Sequence, residues 1–97
     1  ILTGGMVEAD VALRMGLINR TAPAEELLAA AQTVAGGVLK CGPTAVARAK
    51  QAVDRGLKGT LVDGLAIETE LFAECFEGDE AREGLAAFME KRSPNWQ

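Results

Sequence analysis

The sequence predicts an all-α fold of four to five helices, with one short extended run at most. Three observations carry that expectation. Apolar residues recur at helical rather than alternating spacing. Gly and Pro break the chain between the periodic stretches. Acids gather where helices begin, and there they complement the helix dipole. At 97 residues the chain has the size of one small domain or of part of a larger one.

EADVALRMG predicts a short helix from about Glu8 to Met15, with acids in its first turn and Gly16 placed to stop it. LINRT, Leu17 to Thr21, reads as the brief extended run. The next helix starts near Pro23 and carries Leu27, Leu28, Ala31, Val34, Ala35, Val38 and Leu39 on an apolar face. Gly36 and Gly37 weaken it locally or admit a neighbouring backbone. After the Gly42-Pro43 break a helix runs from Pro43 to about Arg55 and stops at Gly56. A longer one follows from about Thr60, a suitable N-cap, to Phe76, and Gly78 ends it. Asp79 is then expected to cap a last helix that reaches about Arg92, with Pro94 preventing continuation.

Composition excludes several functions. A net charge of −4 argues against nucleic acid, whose binding depends on Lys and Arg neutralising phosphates. No stretch approaches the roughly 20 apolar residues that span a bilayer, so no membrane role is expected. The absence of histidine removes the commonest general base and metal ligand, and no metal site is expected. Cys41 and Cys75 read as small, buried, reduced thiols rather than a disulfide, because no secretory signal accompanies them. The first residue is Ile1 and not Met, which suggests a segment of a longer protein.

Two charges fall on apolar stripes. Leu61, Leu65, Phe72 and Phe76 share one stripe, with Glu68 in its middle, and Lys50 sits among Val46, Val53 and Leu57 on the preceding helix. Either each side chain reaches water separately, or antiparallel helices bring Lys50 and Glu68 together as a structural ion pair. Glu70 and Glu74, spaced i,i+4, read as a solvated face and not as paired acid/base groups.

The terminal stretch EGLAAFMEKRSPNWQ gathers Phe88, Lys91, Arg92 and Trp96. Ala81, Leu85 and Phe88 share a helical face, so Phe88 suits a core position, and Lys91 and Arg92 complement a helix C-terminus. Arg92 is expected to pair with an acid, and Trp96 to anchor on a neighbouring surface.

Five stretches, in order, resemble the C-terminal part of the crotonase (enoyl-CoA hydratase/isomerase) superfamily. They are ILTGGMVEADVALRMGLINR, APAEELLAAAQTVA, GPTAVARAKQAV, IETELFAECF and EGLAAFMEKRSPNW, and the last is the most specific. Trp96 stands where the family more often has Phe, Val11 where it often has Glu, and Thr21 where Val is usual. The resemblance implies that residues 1–22 join an absent N-terminal α/β catalytic core to a helical C-terminal region, 23–97, of the kind used in trimer assembly. It implies a parent that adds water to trans-2-enoyl-CoA thioesters, with its oxyanion hole and acid/base carboxylates outside this chain. No catalytic residue is then expected here, and the segment alone should be inactive. Other superfamily reactions, such as isomerisation or hydrolysis, fit the same residues. By the same resemblance Phe88 and Lys91 bind coenzyme A, and the ammonium of Lys91 suits a CoA phosphate. The implied partners are acyl-CoA, the N-terminal core and further copies, as a trimer or dimer of trimers. The CoA thioester is substrate, and no cofactor is implied. A cytoplasmic location is expected, or the mitochondrial matrix if a transit peptide preceded Ile1. The helices also suit a non-catalytic self-association module.

Overall fold

A computed structural model describes residues 2–96. Five α-helices follow in order: α1 Ala9–Arg14, α2 Leu27–Val38, α3 Pro43–Gly56, α4 Leu61–Glu74 and α5 Asp79–Glu90, with a single 3₁₀ turn at Ala24–Glu26. Among the described residues there is no strand. Leu17–Asn19, within the expected extended run, forms bends. The chain divides into two compact units, 1–35 and 36–97, and each is described by itself.

In the first unit α1 ends as the sequence predicts. Gly16 takes φ +73°, and its N–H donates to the Leu13 carbonyl at 3.1 Å while the Leu17 N–H donates to that of Ala12 at 2.9 Å. These two bonds make a Schellman motif, the left-handed stop that glycine adopts without a Cβ clash. Ala12 is the buried residue of this helix.

The second unit is built on the antiparallel hairpin of α3 and α4. Thr60 caps α4 in a capping box: its hydroxyl accepts from the Asp63 N–H, and the Asp63 carboxylate accepts from the Thr60 N–H at 3.0 Å. The two helices meet at Gly56 and Gly64. A Cβ added at Gly56 would lie 3.4 Å from the Gly64 Cα, and one at Gly64 would lie 3.5 Å from the Gly56 carbonyl oxygen. The backbones therefore approach closely, with room for a methyl group at Gly64 but not for a larger side chain.

The half-buried line of α3 is Arg48, Ala52 and Gly56, one residue per turn, and α4 answers with Gly64, Ile67, Leu71 and Glu74. Lys50 lies about 160° around the helix from Ala52. It turns outward and pairs with Asp54 at 2.9 Å, so the Lys50–Glu68 ion pair does not form. The cross-helix pair is instead Arg48 Nε to Glu74 Oε2, at 2.8 Å. Glu74 thus leaves the solvated face expected for it. Both side chains are about one-third exposed, at 34% and 35%, so register and not large stabilisation is the physical consequence.

Small residues do the packing of α5. Ala87 is buried, and Ala81, Gly84 and Ala86 are half-buried, whereas Leu85 and Phe88 are exposed at 60% and 80%. The large apolar face expected for the core therefore points outward. The cap also shifts: Gly78 is the N-cap, and Asp79 is the first helical residue, paired with Arg82 at 3.0 Å. Both cysteines are free, as expected, but Cys41 is exposed and Cys75 half-buried.

Candidate functional site

The C-terminal end of α5 closes on a left-handed turn. The helix stops at Glu90, two residues earlier than predicted, because Lys91 takes φ +54° and ψ +38°. Lys91 is the one described non-glycine residue with positive φ. Its N–H donates to the Phe88 carbonyl at 3.3 Å, and the Arg92 N–H donates to that of Ala87 at 3.0 Å. The bonding repeats the Schellman motif that closes α1, with lysine where α1 has glycine. A side chain in this conformation costs about 1 kcal/mol relative to glycine. Such strain persists where the surroundings over-determine it.

Arg92 supplies that determination. Its guanidinium reaches back to Glu83 through two bonds, Nη1 to Oε1 at 2.6 Å and Nη2 to Oε2 at 3.0 Å. Its Nε donates to Glu90 at 2.6 Å, and the Asn95 N–H donates to Glu83 Oε1 at 2.6 Å. Glu83 therefore grips the returning chain at two points, and its side chain is only 26% exposed. The acid expected for Arg92 is found, and it lies nine residues upstream.

This clamp moves the titration of both partners. The Arg92 hydrogen bond, then that from Asn95, lowers the Glu83 pKa from the usual 4.5 to about 2, while Glu83 and Glu90 raise that of Arg92. A carboxyl with a folded pKa below its unfolded one stabilises fully above about pH 4.5 and loses that contribution as pH falls through 2. A carboxyl-carbon NMR titration should place the Glu83 midpoint near 2. A midpoint at the ordinary glutamate value would mean an open clamp.

Beyond Asn95, Trp96 docks on its own chain. Its Nε1–H donates to the Lys40 carbonyl at 3.0 Å. The ring lies where a Cβ at Gly84 would come within 3.4 Å and one at Gly42 within 3.6 Å. Nearby, Glu80 receives the Thr44 N–H at 2.9 Å and its hydroxyl at 2.7 Å, and so caps α3 from a distant helix. A Cβ at Gly42 would lie 2.7 Å from that same carboxylate.

Phe88 and Lys91 thus stand together at the exposed end of α5, joined through one backbone hydrogen bond. Among the described residues Lys91 makes no ion pair. The site can bind an anion with an adjacent apolar group, but it holds no acid/base pair. Among the described residues no three of Cys, Asp or Glu gather as a metal site. Sequence reasoning missed Glu83, Asn95 and Glu80. The nine-residue spacing of Glu83 and Arg92 fits no helical pairing and becomes close only once the chain reverses at Lys91.

A second feature is an open apolar groove of about 870 Å³ along α3 and α4. Val53, Leu57, Leu61, Leu65, Phe72 and Phe76 line it, and Glu68 projects into it. The stripe expected on α4 is therefore present but uncovered. Phe72 and Phe76 meet edge to face at 5.0 Å.

A family profile described as enoyl-CoA hydratase/isomerase matches residues 1–97. The chain belongs to that family. It is 38% identical over 92 residues to a short-chain-enoyl-CoA hydratase of Clostridium acetobutylicum, covering 95% of this chain and 35% of that protein. It is 35% identical over 96 residues to a crotonyl-CoA hydratase of Syntrophomonas wolfei, covering 99% and 37%. A solved enoyl-CoA hydratase from Bacillus anthracis superposes with a TM-score of 0.94 at 33% identity, over 99% of this chain and 37% of that one. The chain spans little more than a third of the length of these relatives. The all-helical fold and the resemblance to the family's C-terminal region are both borne out.

Proposed function

We propose that this chain is the C-terminal helical part of an enzyme that hydrates trans-2-enoyl-CoA thioesters, with residues 1–22 joining it to an N-terminal catalytic core. The observation that carries the proposal is the Lys91 ammonium, without an ion-pair partner among the described residues, three positions from exposed Phe88 on a turn that Glu83 and Arg92 bridge. A phosphate of CoA takes the ammonium, and Phe88 packs against the apolar part of the same molecule. The hydratase names of the relatives point to the same substrate class. In such a reaction water adds across the double bond while N–H donors stabilise negative charge on the thioester oxygen. Those groups belong to the core, and this segment contributes binding and assembly. The apolar groove of α3 and α4 supports an assembly role, because exposed apolar patches of this kind mark interaction surfaces. A trimer or dimer of trimers is the assembly proposed.

The full-length protein should hydrate a short trans-2-enoyl-CoA, and Lys91→Ala should weaken CoA binding about tenfold, the scale of one charge-assisted contact. The loss should shrink at high salt. Unchanged affinity across a salt series would remove Lys91 from the site.

A further inference from the structure

We infer that Glu83 is a positioning residue for the Lys91 ammonium: through Arg92 and the Asn95 N–H it holds the left-handed turn that sets where Lys91 points. The inference rests on the CoA-binding role proposed for Lys91 and adds a residue to it. In the α1 motif Gly16 occupies the left-handed position, whereas in the α5 motif Lys91 does. A helix stop by itself favours glycine there. Lysine at that place adds strain and brings a side chain, so what distinguishes this stop is the side chain it presents.

The geometry shows how the strain is held. Lys91 lies between Glu90 and Arg92, and both of those side chains are tied, Arg92 Nε to Glu90 at 2.6 Å and Arg92 Nη1 to Glu83 at 2.6 Å. Arg92 Nη1 also donates to the Ser93 carbonyl at 3.2 Å, and the Asn95 N–H closes on Glu83. The Lys91 N–H and the Arg92 N–H are both spent on α5 carbonyls. Every neighbour of Lys91 is therefore fixed, while its own ammonium has no ion-pair partner among the described residues. An unclamped left-handed lysine would relax toward ordinary helix and swing its stem back along α5. Glu83 acts through Arg92 and touches no ligand itself.

Affinity for CoA should be measured in the full-length protein for Lys91→Ala, Glu83→Gln and the double variant, each across a salt series. Glu83→Gln should weaken CoA binding about fivefold or more, and lower the salt dependence as Lys91→Ala does. The double variant should bind no more weakly than Lys91→Ala alone, because both act on one contact. Arg92→Lys keeps the positive charge but loses the fork; it should reproduce the pattern, and serves if Glu83→Gln fails to fold. Two results overturn the positioning role alone: Lys91→Ala weakened with Glu83→Gln and Arg92→Lys normal, or losses that add in the double variant. Normal binding by Lys91→Ala overturns the CoA reading and this inference with it.

Discussion

Trp96→Ala lowers the stability of the helical unit by about 2–3 kcal/mol, somewhat less than a fully buried tryptophan would cost. Two losses combine. The indole leaves the slot over Gly42 and Gly84, and the Lys40 carbonyl loses its 3.0 Å donor. Trp96→Phe should fall between the parent and Trp96→Ala, because the smaller ring loses the N–H donor and also the outer indole atoms that lie over Gly42 and Gly84. Denaturant unfolding of the full-length protein, followed by far-UV circular dichroism, reads both variants. Equal stability of Trp96→Ala and the parent would mean that the tail contributes nothing to holding α5 against the start of α3.

At Gly64 the sign of the effect should reverse with side-chain size. A Cβ alone would lie 3.5 Å from the Gly56 carbonyl oxygen, an ordinary contact. Gly64→Ala is thus neutral or stabilising by up to about 1 kcal/mol, since alanine restricts the unfolded chain and favours helix. Gly64→Leu places further carbons where the α3 backbone already stands. The helices must separate at their near ends, which costs about 1–3 kcal/mol. Unfolding midpoints for the two variants test the close approach directly. Destabilisation by alanine as large as that by leucine would contradict the spacing.

These expectations depend on features that sequence displays unequally. Pro43 and Thr60 mark helix starts by local backbone chemistry, and α3 and α4 begin where they predict; α3 runs on through Gly56, α4 ends at Glu74, two residues before Phe76, and Gly78 serves as the N-cap of α5. Thr60 caps α4 because its partner, Asp63, lies only three residues away. Periodicity also found the Leu61–Phe76 stripe. It did not reveal that this stripe stays open while Ala, Gly and Leu71 do the packing, because a stripe records apolar character and not what covers it. The Lys50–Glu68 expectation failed for the same reason: helix phase relative to α4 is set by Gly56 and Gly64, and that phase brings Arg48 and not Lys50 to the seam.

The end of α5 was the least legible part. Lys91 and Arg92 suit the last turn of a helix without fixing where it stops, and Pro94 permits a stop anywhere in the preceding residues. The stop lies at left-handed Lys91, and the bonds that Arg92 and Asn95 make to Glu83, far upstream, exist only after the chain has turned. Family resemblance points to Lys91 and Phe88, but the strained backbone that carries Lys91 leaves no trace in the sequence.

A crystal structure of the full-length protein with a bound acyl-CoA tests the central claim most directly. It should place the Lys91 ammonium within hydrogen-bond distance of a CoA phosphate oxygen, with Phe88 against the same ligand and the Glu83–Arg92 clamp closed. An ordered CoA with Lys91 turned away to solvent would contradict the account.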